Sequence, residues 1–535
     1  MLNLGSYLLG AAEVALVAIS LGFSAYRLRR RLMPAWEGAP ARLVEAIVAV
    51  ALLTWISELL GTFDLLYAGA LVGACALVAG TIALWPAGPV GAASPTVLGG
   101  GAASAPRGTP APPPPTGERL WRLLIMVGAV AVVFGHWALT TKHALDRGVF
   151  NFDSLWYHLP FAADIAQSHS VTGMHHVDTV FTNWFYPQNS ELLHADGMLL
   201  LGRDTLSLFL NYGWLVAAFL AAWCIGRPYG RGDLSVVAVA IVLEAHVLVV
   251  REPGAAKNDL MAAALILAAI AILVNAWHLS RAHRLGVGWP LAMAGLAVGL
   301  AAGTKVTALA MAAALSVAVL VLAPRGRRWA AAGWWFAPAL LAGGFWYLRN
   351  LVVAGNPLPA VESLGPISLP HPERLQVGRP DFSIAHYATD TDVWRHYFFP
   401  GLHDAFGALW PLVIGGALLA GLLALLKGRD RVIRAIGAVV VFGFLAYLFT
   451  PLSAAGADGA PTAFGINLRY VYGAVLGGLA LVPLPRLFDD RRRQWGLLGG
   501  LLLVLLLTDR ADAVVRDPAR PFALLVVVIA VLIPA

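Results

Sequence analysis

Charged residues are scarce in this chain: Asp, Glu, Lys and Arg make up 13% of its 535 residues, about half the share of an ordinary soluble domain. So little charge cannot solvate the surface of a chain this long. With 59% hydrophobic residues and a mean hydropathy of +0.73, the class that fits is an integral membrane protein. Cysteine is nearly absent. Cys75 and Cys224 fall inside apolar runs, where a thiol behaves as a small hydrophobe, which excludes a disulfide framework and a cysteine-held zinc site. Lysine is scarce beside arginine, with Lys142, Lys257, Lys305 and Lys427 the whole set. Missing too is a basic residue before the first apolar run, LGSYLLGAAEVALVAIS, and a small-residue cleavage site after it, so this run reads as a retained helix and not a signal peptide. The net charge of +7 does not point to nucleic acid, because the arginines sit in short clusters between apolar runs, where orientation signals belong.

What is there is a repeating series of apolar runs of about 20 residues, the length a helix needs to cross roughly 30 Å of hydrocarbon. Their number predicts an all-α polytopic protein with about 15 spans. Basic clusters at 27–31, 107–122, 226–232, 281–284, 325–328, 427–434 and 486–494 follow every second run, which predicts that all of them are cytoplasmic and that the N-terminus is outside. Residues 1–88 hold three spans. The Pro/Gly/Ala/Ser segment 89–118 reads as a flexible cytoplasmic linker, 119–485 as the main membrane domain, and 486–535 as C-terminal spans. Three outward loops, 142–203, 353–407 and 451–466, are long or polar. The Arg-, Ala- and Gly-rich composition suits a GC-rich bacterial source and a plasma-membrane location.

The first outward loop holds NFDSLWYHLP and NWFYPQNSELL, which gather Asp153, Trp156, Tyr157, His158, Asp164, Trp184, Tyr186 and Glu191. Leu155, Leu159, Ala162 and Ala166 recur at helical spacing and predict a short helix along the outer membrane surface, with Asp153 at its start as either an N-cap or a functional acid. Asp259, in REPGAAKNDL, has the same double reading. Lys142, Lys257 and Lys305 lie on the outward side, and Arg349 and Arg469 near outer span ends, where each either snorkels to headgroups or serves a site. Cations and carboxylates at headgroup depth suit one reaction in particular. A departing lipid phosphate needs positive charge and an incoming hydroxyl needs a carboxylate to take its proton, while the aromatic faces either stack on a sugar ring or form the interfacial belt of any bilayer protein. Two other patterns carry less: Asp390 and Asp392 in TDTD read as solvated loop acids, and His169, His175, His176 and His194 as histidines without a zinc ion.

NFDSLWYHLP, AKNDL, GLAVGLAAGTKVTAL, WYLRNLVVAGNPLP and NLRYVYGAVLGGLALVPL, in that order, resemble the landmarks of GT-C glycosyltransferases, in the branch of the protein O-mannosyltransferases and lipid A aminoarabinose transferases. The resemblance covers roughly residues 119–485. It implies an inverting membrane glycosyltransferase that moves a sugar from a polyprenyl-phosphate donor to an extracytoplasmic glycan, lipid or protein. The family's first acidic residue falls on Asp153, as general base, and its second on Asp259. The donor phosphate falls to Lys305 and Arg469, with Arg349 and Lys257 beside them, and the substrate to Trp156, Tyr157, His158, Tyr186 and Glu191. Where the family often has Asp-Glu, this chain has Asp153-Ser154, so a divalent metal is left open but not indicated, and no other cofactor is implied. The alternative reading is a flippase or transporter of lipid-linked sugars, which would place its ionisable residues near the bilayer midplane.

Overall fold

The computed structural model describes residues 4–85, 116–176, 182–283, 288–372 and 382–508. Among them nine helices are long and apolar enough to cross a membrane, from Leu4–Leu32 to Phe464–Leu481. Four shorter apolar helices, Ala68–Leu84, Gly232–Leu243, Gly288–Ala302 and Ala308–Leu322, are packed among them. The expected all-helical, multi-pass architecture is therefore present, with one small exception. In the second outward loop Ser363–Leu364 pairs antiparallel with Ile367–Ser368. The expected linker lies outside the described residues as far as 115, and its last three positions already belong to the helix Thr116–Arg147. Of the C-terminal spans the helix Arg491–Thr508 is described, and the rest lies outside the described residues.

The helix Asp259–His283 is the axis of the bundle: its most apolar 18-residue window is buried throughout. Residues 260–277 carry no charge, so packing against the helices Leu210–Gly226, Gly288–Ala302 and Tyr472–Leu481 buries no ionic group, and the amide of Asn275 is satisfied where its Nδ2 donates to Cys224 O at 2.8 Å. A stripe of Gly295, Gly299 and Gly303 brings Gly288–Ala302 against the helix Arg328–Ala354. A Cβ at Gly299 would stand 2.2 Å from Ala339 O, so only glycine permits this approach.

The two ends of the bundle differ in chemistry. At one end Arg122 pairs with Asp233, Arg231 with Asp489 at 2.6 Å, and Arg429 with Asp489, while Tyr229 bonds Asp430 at 2.8 Å and His278 at 2.9 Å. Residues from four of the basic clusters, 107–122, 226–232, 427–434 and 486–494, thus converge there. Asp259, at the start of the axial helix, lies at the other end, about 28 Å from His278 for a separation of 19 residues at about 1.5 Å each.

At that second end the loop expected at 142–203 is largely structured. Residues 142–147 still belong to the preceding helix, the surface helix runs to Ser168 through a π turn at Ser154–His158, and a further helix, Asn189–Leu201, is buried along most of its length. The three N-terminal helices brace this region: Ser57 Oγ donates to Asp196 at 2.9 Å, and Val171 N to Gly61 O at 3.0 Å.

Candidate functional site

Three hydrogen bonds assemble the site before any charge is considered. Ser154 Oγ donates to Ala256 O at 3.1 Å, tying the start of the surface helix to the loop that precedes the axial helix. Asn258 Nδ2 donates to Thr304 O at 3.2 Å, tying that loop to the end of the glycine-striped helix. Asn189 N donates to Gly303 O at 3.0 Å from the opposite side. Ser154 is thus the stitch that brings Asp153 to Lys257.

The result is a network of five charged side chains from four separate stretches. Lys257 Nζ lies 3.3 Å from Asp153 and 3.1 Å from Asp259. Arg469 donates to Asp153 and stands 3.8 Å from Asp259, and Lys305 pairs with Asp259 while donating to Asn258 Oδ1 at 3.1 Å. Tyr470 lies 5.4 Å from both the Lys305 ammonium and the Arg469 guanidinium, within cation–π range. Lys257 and Asp259 form a sealed base, with side chains 1% and 0% exposed, whereas Asp153, Lys305 and Arg469 keep 12%, 13% and 12%. The latter three are the groups an incoming molecule meets first.

The N-cap reading of Asp153 does not describe this geometry. Its carboxylate caps no backbone amide, and Asn151 Oδ1 accepts from Ser154 N at 3.3 Å instead. Burial pushes the Asp153 carboxyl up, but Arg469, Lys257 and His158 together outweigh it and hold the group below the usual carboxylate range. Snorkelling fails likewise for Lys257, Lys305 and Arg469, whose charged heads turn inward onto carboxylates.

Arg349 is brought elsewhere. Its Nη2 donates to Trp184 O at 2.7 Å and its guanidinium lies 4.8 Å from the Trp346 ring, with no ion pair to a described residue. His158 and Glu191 pair with each other below the surface, at 0% and 1% exposure, so they hold the surface helix in place instead of facing a substrate. Tyr157 and Trp184 are buried with Phe161 in an aromatic cluster that Trp156 and Tyr186 flank, half-buried, at its edge. Of the expected aromatic faces, the last two stay within reach from outside. Lys142 pairs with Asp146 on a helix surface, and Asp390 caps a short helix by accepting from Asp392 N at 3.1 Å and Val393 N at 3.0 Å. His175 pairs with Asp164.

One acid escapes the sequence reading. Glu252 is 1% exposed and neither carboxylate oxygen has a hydrogen-bond donor. Burial, then the charge of Asp259, pushes it up to about 7 against the opposing pull of Lys257, Lys305 and Arg469. The signal was a carboxyl seven positions before Asp259 in REPGAAKNDL. Within the five-membered network three cations face two carboxylates, an excess of one positive charge that suits an anion.

A divalent ion does not fit this donor set. The Lys257 ammonium occupies the position between Asp153 and Asp259 that a bridging metal would take, and among the described residues no three His, Cys, Asp or Glu side chains are grouped to hold one. Helix lengths, apolar windows and this charged end define a multi-pass helical membrane protein. Compared with known proteins, the chain matches no family model, no curated protein and no solved structure.

Proposed function

We propose that this chain is a GT-C-type membrane glycosyltransferase of about 15 spans that transfers a sugar, with inversion, from a polyprenyl phosphate to an acceptor hydroxyl on the extracytoplasmic face of a bacterial plasma membrane. The observation that carries the reading is the convergence of Asp153, Lys257, Asp259, Lys305 and Arg469 at one end of the bundle, opposite the end where the arginine clusters meet. In this reading the acceptor oxygen forms a bond to the anomeric carbon as the bond from that carbon to the phosphate oxygen breaks. The acceptor proton passes to Asp153, and the electron pair leaves with the polyprenyl phosphate, whose growing charge Lys305 and Arg469 stabilise. Lys257 and Asp259 hold the other three in place.

Asp153 is a weak base while Arg469 and Lys257 hold it. A phosphate that draws Arg469 to itself removes the largest opposing charge and lifts Asp153 toward the range in which it accepts a proton. Donor binding thereby switches on the base, and the acceptor hydroxyl meets an activated carboxylate only when a leaving group is present.

The carrier reading has one observation in its favour, the buried His136–Glu244 pair, eleven residues inside the end of the helix Thr116–Arg147. A carrier also needs charge along a central path, and the axial helix has none from Leu260 to Trp277. The test is to incubate the purified protein with a panel of polyprenyl-phosphate sugars and detect released polyprenyl phosphate. Release dependent on Asp153 supports the enzyme, and translocation without release supports the carrier.

A further inference from the structure

Beside the charged network, the segment that leads into the buried helix Asn189–Leu201 meets the outer end of the helix Arg328–Ala354. Trp184 O accepts there from two side chains at once, Arg349 Nη2 at 2.7 Å and Gln188 Nε2 at 3.4 Å, so the guanidinium and the amide are immediate neighbours. What they do not bond is more informative. Among the described residues, Arg349 Nε and Nη1, which carry three of the five guanidinium N–H groups, have no acceptor, and Gln188 Oε1 and both amide atoms of Asn183 have no partner. All three residues are more than nine-tenths buried, with Arg349 6%, Gln188 1% and Asn183 0% exposed.

Leaving so many polar atoms unmet is costly. An unsatisfied buried donor or acceptor costs about 1–3 kcal/mol, and a buried guanidinium without a carboxylate costs more. The donors are cationic, and the unmet acceptors and amide hydrogens beside them suit hydroxyl groups. Aromatic surface is at hand as well: His176 lies 4.7 Å from the Trp184 ring. Burial, with Arg349 and His176 nearby, pushes His175 down to about 4, so Arg349 carries the positive charge here at neutral pH.

We infer that Arg349, Asn183 and Gln188 form a saccharide subsite for a sugar bearing an oxyanion, with the carboxylate or phosphate on Arg349 and the hydroxyls on the two amides. This rests on the glycosyl-transfer reading only for its place in a reaction: it makes the transferred or accepting sugar an acidic one. The chemistry is shared by a uronic acid and a sugar phosphate, and binding distinguishes them.

The test uses the full chain in detergent micelles and titrates D-glucuronate, glucose 6-phosphate and neutral glucose against intrinsic tryptophan fluorescence. The expected result is saturable binding of at least one acidic sugar about tenfold or more tighter than glucose. Whichever acid binds names the anion. Arg349→Lys, which keeps the charge and loses the planar fork, should erase that preference. Because Arg349 also holds the Trp184 carbonyl, Asn183→Ala is the second variant. It removes an amide that bonds none of the described residues, so the unfolding midpoint should hold while acidic-sugar affinity falls several-fold. Equal binding of acidic and neutral sugars, no binding of any, or a preference that survives Arg349→Lys overturns the inference. The readout is binding and not turnover, so a chain that binds acidic sugars but transfers none keeps this inference and loses the function proposed above.

Discussion

Arg469 donates to Asp153 across 316 positions of sequence, with both side chains 12% exposed. Each neutralises a charge the other cannot leave unpaired, so their substitutions are coupled. In a double-mutant cycle of Asp153→Asn and Arg469→Gln, read by unfolding in detergent, the coupling energy should be about 1–3 kcal/mol. Additive effects would mean that the contact contributes nothing in solution.

Charge counting sets the order of damage at the sealed base of the network. Asp259→Asn leaves three cations facing one carboxylate and should cost about 3–5 kcal/mol, the range for breaking a buried pair. Lys257→Met leaves two of each sign and should cost less. The double variant should be more stable than Asp259→Asn alone, and thermal unfolding of the three proteins checks the order.

Glu252 makes stability depend on pH. Its folded value, about 7, lies above its ordinary 4.5, so the folded state binds more protons between these values and stability falls as pH rises. The contribution is fully present below about 4.5 and is lost as pH passes through about 7. Glu252→Gln should flatten this part of the curve and raise the unfolding midpoint at pH 8 relative to the parent protein.

The glycine stripe is a packing claim that an alanine can test. Gly299→Ala drives a Cβ to 2.2 Å from Ala339 O and should cost about 1–3 kcal/mol, while loosening the helix end that presents Lys305. Gly344→Ala, where a Cβ meets nothing within 4 Å, is the control and should unfold like the parent.

The membrane class and the five network residues were legible in sequence for one reason. In a chain this apolar, a Lys or Asp at a span end is conspicuous, and lysine's scarcity marked Lys257 and Lys305. Arg349 was equally conspicuous and joins a different neighbourhood, because sequence places a residue at a depth and leaves its direction around the helix open. The helix Asn189–Leu201 was hidden by its own polarity: Asn189, Glu191 and Asp196 read as loop, but each meets a bonded partner supplied by another stretch of chain. Glu252 was hidden because its unpartnered burial arises from tertiary packing alone.

The central claim is that the charged network breaks a sugar–phosphate bond. The direct measurement is release of polyprenyl phosphate from a panel of polyprenyl-phosphate sugars by the purified protein, with Asp153→Asn, Lys305→Ala and Arg469→Ala alongside. The account expects release by the parent, a fall of about two to four powers of ten in Asp153→Asn, and both a slower reaction and a higher donor requirement in the two cation variants. No release from any donor, or release by Asp153→Asn at the parental rate, would contradict it.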